Sequence, residues 1–248
     1  MEAIDGSEPL EPSPAIRPRP WGFWATLGWA MVALGLGQVA GIAAALWWAG
    51  RRAVHPVSIE DGAIVAITVI VSTPVVCFVL ALAARLAGWP AGEYLGFIRF
   101  RGRDFLLGVL SLAALVLAFG LLAVVLGRPD TSTFQTEVYR TAAASGVLPL
   151  FMLAAIVLGP TGEEILFRGF LFRGWLRSRR SAAPVIVATA IVWSALHVQY
   201  DWFFILQVLA IGLVLGWLRW RSGSTSLALL LHALINLAAT VEVMFKPA

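Results

Sequence analysis

Residues 147–172 read VLPLFMLAAIVLGPTGEEILFRGFLF, and this stretch decides the fold. About 20 apolar residues cross the hydrocarbon core of a bilayer, so the run is long enough to span it. It is a continuous apolar run, without the alternation of a barrel strand, and within lipid such a run satisfies its own amides only as a helix. Yet Glu163, Glu164 and Arg168 lie inside it. Charges at that depth are costly, so each marks a candidate for function.

Outward from this block the pattern repeats. Apolar blocks at 22–49, 61–87 and 104–126 precede it, and blocks at 182–198, 202–220 and 224–244 follow, 182–198 being the shortest. The fold class is therefore all-α: a polytopic transmembrane helix bundle of about seven spans, with eight allowed. Composition agrees, at 60% hydrophobic and 13% charged residues, where soluble domains run near about 45–50% and about 25%. At 248 residues the chain forms one bundle and leaves no room for a separate soluble enzyme domain.

The flanks carry the orientation. Residues 1–20 mix four acids with five prolines and read as a disordered cytoplasmic tail, not as a cleaved signal peptide. With Arg168 set aside, twelve basic residues fall on one side of the spans and five on the other. Basic residues favour the cytoplasmic side, which puts the N-terminus in the cytoplasm and, after seven spans, the C-terminus outside. The net charge of +4 is explained in the same way and implies no nucleic-acid partner. Lys246 is the only lysine among 18 basic residues, a bias of GC-rich bacterial genomes, so the expected location is the cell (inner) membrane. Segment 89–103 mixes aromatics with arginines and is expected along the cytoplasmic interface. The single cysteine, Cys77, excludes an intrachain disulfide.

The remaining polar residues inside the blocks are few. His197 ends the fifth, and His232 and Asn236 lie in the seventh. Residues four apart share a helix face, so Glu164 can pair with Arg168, and His232 and Asn236 form one polar stripe. Glu163 is turned about 100° away from Glu164 and is left to face the bundle interior. Each feature alone has a plain structural reading: a locked ion pair, or a packed imidazole. His55 sits in a loop beside Pro56 and reads as solvated, and the many tryptophans read as an interfacial belt. Two glutamates, two histidines and an asparagine gathered in three spans are harder to explain by packing.

These residues carry a family resemblance. Glu163-Glu164-Ile165-Leu166-Phe167-Arg168 resembles the EExxxR motif of the CPBP family of intramembrane proteases, which includes CAAX prenyl endopeptidases and bacteriocin-processing and immunity proteins. Trp193 to His197 resembles the family's FxxxH motif with Trp for Phe, and His232 to Asn236 resembles its HxxxN motif. The similarity spans 147–245, leaving 21–146, the first three spans, without a diagnostic residue.

The resemblance implies an intramembrane endopeptidase with its active site within the membrane. Glu163 would activate water, assisted by His197. His232 and Asn236 would stabilise the oxyanion, and Glu164 and Arg168 would support the site. The implied partners are the lipid bilayer and a membrane-anchored peptide or protein substrate. No cofactor is expected. Zinc held by Glu163, His197 and His232 is the alternative, although the zinc-protease arrangement HExxH is absent from the sequence. A non-catalytic binding or immunity protein on the same scaffold, and a proton carrier, are the other readings that these residues allow.

Overall fold

The computed structural model describes residues 18–52 and 57–245. The expectations for the tail up to residue 17, for the His55 loop and for Lys246 lie outside the described residues. Among the described residues the chain forms nine α-helices and no strand. In order these are α1 (Phe23–Arg52), α2 (Gly62–Leu86), α3 (Ala91–Tyr94), α4 (Gly102–Val125), α5 (Thr133–Ala144), α6 (Leu148–Trp175), α7 (Ala182–Ala195), α8 (Trp202–Ser222) and α9 (Thr225–Met244).

Six of them, α1, α2, α4, α6, α8 and α9, are long and apolar enough to cross a membrane, so the protein is a polytopic helical membrane bundle. The block at 182–198 differs. Its helix stops at Ala195 after 14 residues, about 21 Å of rise against a core of about 30 Å. The chain completes its path through a non-helical turn, 196–201, before α8 begins. This part of the chain lies against α8 at both of its ends. Arg179 stacks over Trp220 at one end, and Tyr200 packs on Phe204 at the other. Non-helical backbone at membrane depth is tolerated only where it is covered by protein or lines a cavity. This turn lines the cavities onto which Glu163 opens.

Close packing comes from small residues. The buried positions of α1 are Thr26, Ala30, Ala33, Gly37, Gly41, Ala45 and Ala49, spaced three or four apart. In lipid the association of helices relies on such close approach, because there is no hydrophobic drive between apolar faces. A Cβ on Gly41 would lie 2.6 Å from the Thr68 carbonyl oxygen of α2.

The two ends of the bundle differ in charge. At one end Arg221 of α8 pairs with Asp104 at the start of α4 (3.1 Å), and Arg173 stacks over Trp89 (4.6 Å). At the opposite end Arg128 pairs with Asp201 (2.6 Å). Segment 89–103 does more than lie along the arginine-rich end. Tyr94 and Leu95 are buried in the main core, and Thr225 donates its backbone N–H to Gly96 O (2.8 Å) and its hydroxyl to Leu95 O (2.6 Å). The segment thus plugs that end of the bundle.

The short helix α5 closes part of the opposite end. Its buried residues, Val138 and Ala142, face α2, and the backbone N–H of Gly62 donates to Thr141 Oγ1 (2.8 Å). Gly62 has no side chain to hold Val138 O away, and a Cβ there would collide with it.

Candidate active site

Helix α6 is distorted where its charges lie. Two stretches, Ala154–Leu158 and Ile165–Leu171, are widened into π-helical turns on either side of Gly159–Glu164. Such turns cost hydrogen-bond geometry and concentrate at functional sites. The first has a clear cause in Pro160. A proline inside a helix lacks the N–H and collides with the carbonyl four residues back. Widening removes the collision: Gly159 N–H now reaches back to Ala154 O. The next carbonyl, Ala155 O, would take its bond from Pro160, which has no proton to give. Asn236 Nδ2 donates to it instead (2.8 Å). Nearby, Thr73 of α2 donates its hydroxyl to Leu158 O (3.2 Å).

The two glutamates then separate as helix geometry requires. Glu164 is fully buried and faces α9. Its Oε1 accepts from Arg168 Nη1 (2.8 Å) and lies 2.9 Å from His232 Nδ1. Arg168 is equally buried; it donates from Nη2 to Gly212 O (3.2 Å) and lies over the Trp193 ring at 4.5 Å. The i,i+4 pair read from the sequence is therefore present, with His232 as its third member. Glu164 Oε2 and Arg168 Nε have no hydrogen-bond partner among the described residues, so all of this pairing runs through one carboxylate oxygen.

Glu163 points the other way. Its side chain keeps 37% of its exposure while Glu164 has none, and it opens onto three adjoining cavities of about 200, 250 and 190 Å3. His197 lines all three with it, and Asn236 lines two. Glu163 Oε2 accepts the indole N–H of Trp193 (2.6 Å) and lies 4.0 Å from His232 Nε2.

Trp193 is the residue that the sequence reading undervalued. By the motif alone it is one aromatic ring in place of another. In the structure its N–H holds the carboxylate of Glu163, its face carries the Arg168 guanidinium, and its ring meets His197 and His232 edge-on, each at 5.2 Å. Phenylalanine could make the ring contacts but not the hydrogen bond. The available signal was the indole N–H itself, which requires a partner when buried.

Both imidazoles are oriented by their Nδ1 atoms. His197 Nδ1 lies 2.9 Å from Trp193 O, an acceptor only, so Nδ1 carries the proton and neutral His197 offers a lone pair at Nε2. The Nδ1 of His232 faces the Glu164 carboxylate, which leaves its Nε2 toward Glu163.

Six residues from α6, α9 and the turn after α7 thus converge, with Trp193 between them. Residues 145–238 match the family model described as type II CAAX prenyl endopeptidase Rce1-like. The match runs from the start of α6 through most of α9, takes in every residue of this site and leaves α1 to α5 outside it. It bears out the resemblance to CPBP intramembrane proteases over this segment and supports an intramembrane CAAX-type protease. No curated protein and no solved structure matches the chain. Among the described residues no three His, Cys, Asp or Glu side chains are grouped to hold a metal.

Proposed function

We propose that the protein is a glutamic intramembrane endopeptidase that cleaves a membrane-anchored peptide or protein. The observation that carries this reading is the opposite environment of two adjacent carboxylates. Glu164 is consumed by structure, whereas Glu163 faces the cavities with one oriented donor behind it.

In this mechanism Glu163 takes a proton from a water molecule in the cavity as the hydroxide attacks the scissile carbonyl. His197 Nε2 is a second proton acceptor on the same cavity wall. The negative charge that develops on the carbonyl oxygen meets the Asn236 amide and His232 Nε2, which donates when both ring nitrogens carry protons, the Nδ1–H being held by the Glu164 carboxylate. One Asn236 proton is spent on Ala155 O, and the second remains for the oxyanion. Collapse of the intermediate breaks the C–N bond, and the proton held by Glu163 passes to the leaving amine. Donors fixed before the reaction, in a site shielded from bulk water, are the most effective kind of charge stabilisation. The arginine-rich end is assigned to the cytoplasm. Two of the cavities reach toward the other end, one beneath α5 and one lined by Asp130, Thr131 and Glu242, so substrate is reached from outside.

The test uses an apolar quenched-fluorescence peptide carrying a lipid anchor, added to sealed vesicles. Right-side-out vesicles are expected to cleave it with a chelator present, and inside-out vesicles only after permeabilisation. Absence of cleavage in permeabilised vesicles would overturn the protease. Cleavage abolished by chelation and restored by zinc would overturn the metal-free mechanism, and cleavage by sealed inside-out vesicles alone would reverse the orientation.

A second expectation concerns Trp193. Trp193→Phe keeps the ring and removes the donor, so kcat should fall about tenfold, the worth of a charge-assisted hydrogen bond near 1.4 kcal/mol. KM and melting temperature should change little. An unchanged kcat would reduce the indole N–H to a packing feature.

A further inference from the structure

The chemistry above leaves unused a row of polar side chains on the two helices farthest from the family match. The cavity of about 250 Å3 on that side of Glu163 is walled by Gln38 of α1, by Thr68 and Ser72 of α2, and by Gln199 of the turn after α7. Gln38 lies 15 residues after Phe23 and 14 before Arg52, about 21 Å from either end of α1 and hence near mid-membrane. A carboxamide at that depth is costly unless something bonds it. The side chains of Gln38, Thr68 and Gln199 make no hydrogen bond among the described residues, although Thr73, on the next turn of the same wall, is bonded to Leu158 O.

Hydrolysis creates the matching need. In a helical substrate the scissile carbonyl is occupied by the amide four residues on, so the segment must unwind before attack. Each N–H and C=O freed at membrane depth then requires a partner that lipid cannot supply. Glutamine offers both donors and an acceptor, and threonine one of each. Interleaved with them, Leu34, Val69, Val76 and Leu196 provide apolar surface.

We propose that this α1–α2 wall binds the backbone of the substrate as an extended strand on one side of the scissile bond, with apolar side chains of the substrate seated between the polar residues. The inference rests on the protease reading. It defines the substrate class as an unwound, apolar, membrane-anchored segment. Because Glu163 also opens onto the cavity under α5, the strand continues past the cut, as endoproteolysis requires.

The experiment measures KM and kcat for the lipid-anchored fluorescent peptide with Gln38→Leu and Thr68→Val. Each should raise KM about fivefold with kcat nearly unchanged. The detergent melting temperature should hold or rise, because no bond within the protein is lost. The same peptide's Kd is then read by anisotropy on the Glu163→Gln protein, with and without Gln38→Leu, and should rise by the same factor. Turnover with KM and Kd unaltered by both substitutions would overturn the wall as a subsite and leave the protease standing. Binding that depends on Gln38 without any turnover by the wild type would overturn the protease and leave the wall as a peptide site. A fall in kcat alone would also overturn the subsite, by placing these residues in the chemistry.

Discussion

Glu163→Gln is expected to slow hydrolysis about 10³-fold, within the range for loss of a positioned general base. The substitution keeps volume and leaves an amide oxygen to accept the Trp193 N–H, but it removes the group that takes the proton from water. The fold should be indifferent. Glu163 is partly exposed to the cavity, and its one hydrogen bond, to Trp193, can be kept. Measured in detergent, the melting temperature of the variant should match that of the wild type while kcat collapses. Wild-type kcat in Glu163→Gln would remove the glutamate mechanism, and with it the functional difference between the two carboxylates.

Glu164→Gln should act in the opposite order, on stability first. Its carboxylate is fully buried and answers two cationic or hydrogen-bonding partners through one oxygen. Neutralising it strands Arg168, also fully buried, among apolar helices. Breaking such a pair from one side costs about 3–5 kcal/mol. The variant should therefore melt far below the wild type. Any folded remainder should be inactive, because His232 loses the group that orients its ring. The coupled variant Glu164→Leu with Arg168→Leu removes both charges and should recover much of the melting temperature without recovering turnover. If Glu164→Gln alone melts like the wild type, the ion pair contributes nothing to the bundle.

The spans, the separation of charge between the two ends and the Glu164–Arg168 pair were legible in the sequence, because each follows from a local rule. Bilayer thickness sets block length, and helical periodicity sets which residues meet. Three features were not legible, for related reasons. The early end of α7 depends on a cavity formed by other helices, and apolar composition runs on past Ala195 to Val198. Helix α5 is too polar to register as a span, although Ser132 before it, Phe134, Val138 and Ala142 at four-residue spacing, and Gly146 after it were available as signals. The indole of Trp193 and the unpaired Gln38 and Thr68 acquire meaning only once α1, α2 and α7 are brought around Glu163. Sequence spacing carries contacts within a helix; it does not carry which neighbour a helix faces.

The bond between Asn236 and Ala155 O has a geometrical consequence. Helix α9 is tied to α6 by two side chains one turn apart on α9: His232, which meets Glu164, and Asn236, which fills the gap left by Pro160. One contact would let α9 pivot about it. Two contacts about 6 Å apart along the axis of α9 fix both its rotation and its axial slide, as two dowels locate a plate that one would leave free to swivel. The carbonyl that proline leaves vacant thereby becomes a registration mark, and the aim of His232 Nε2 is held by rigid bodies in place of loops.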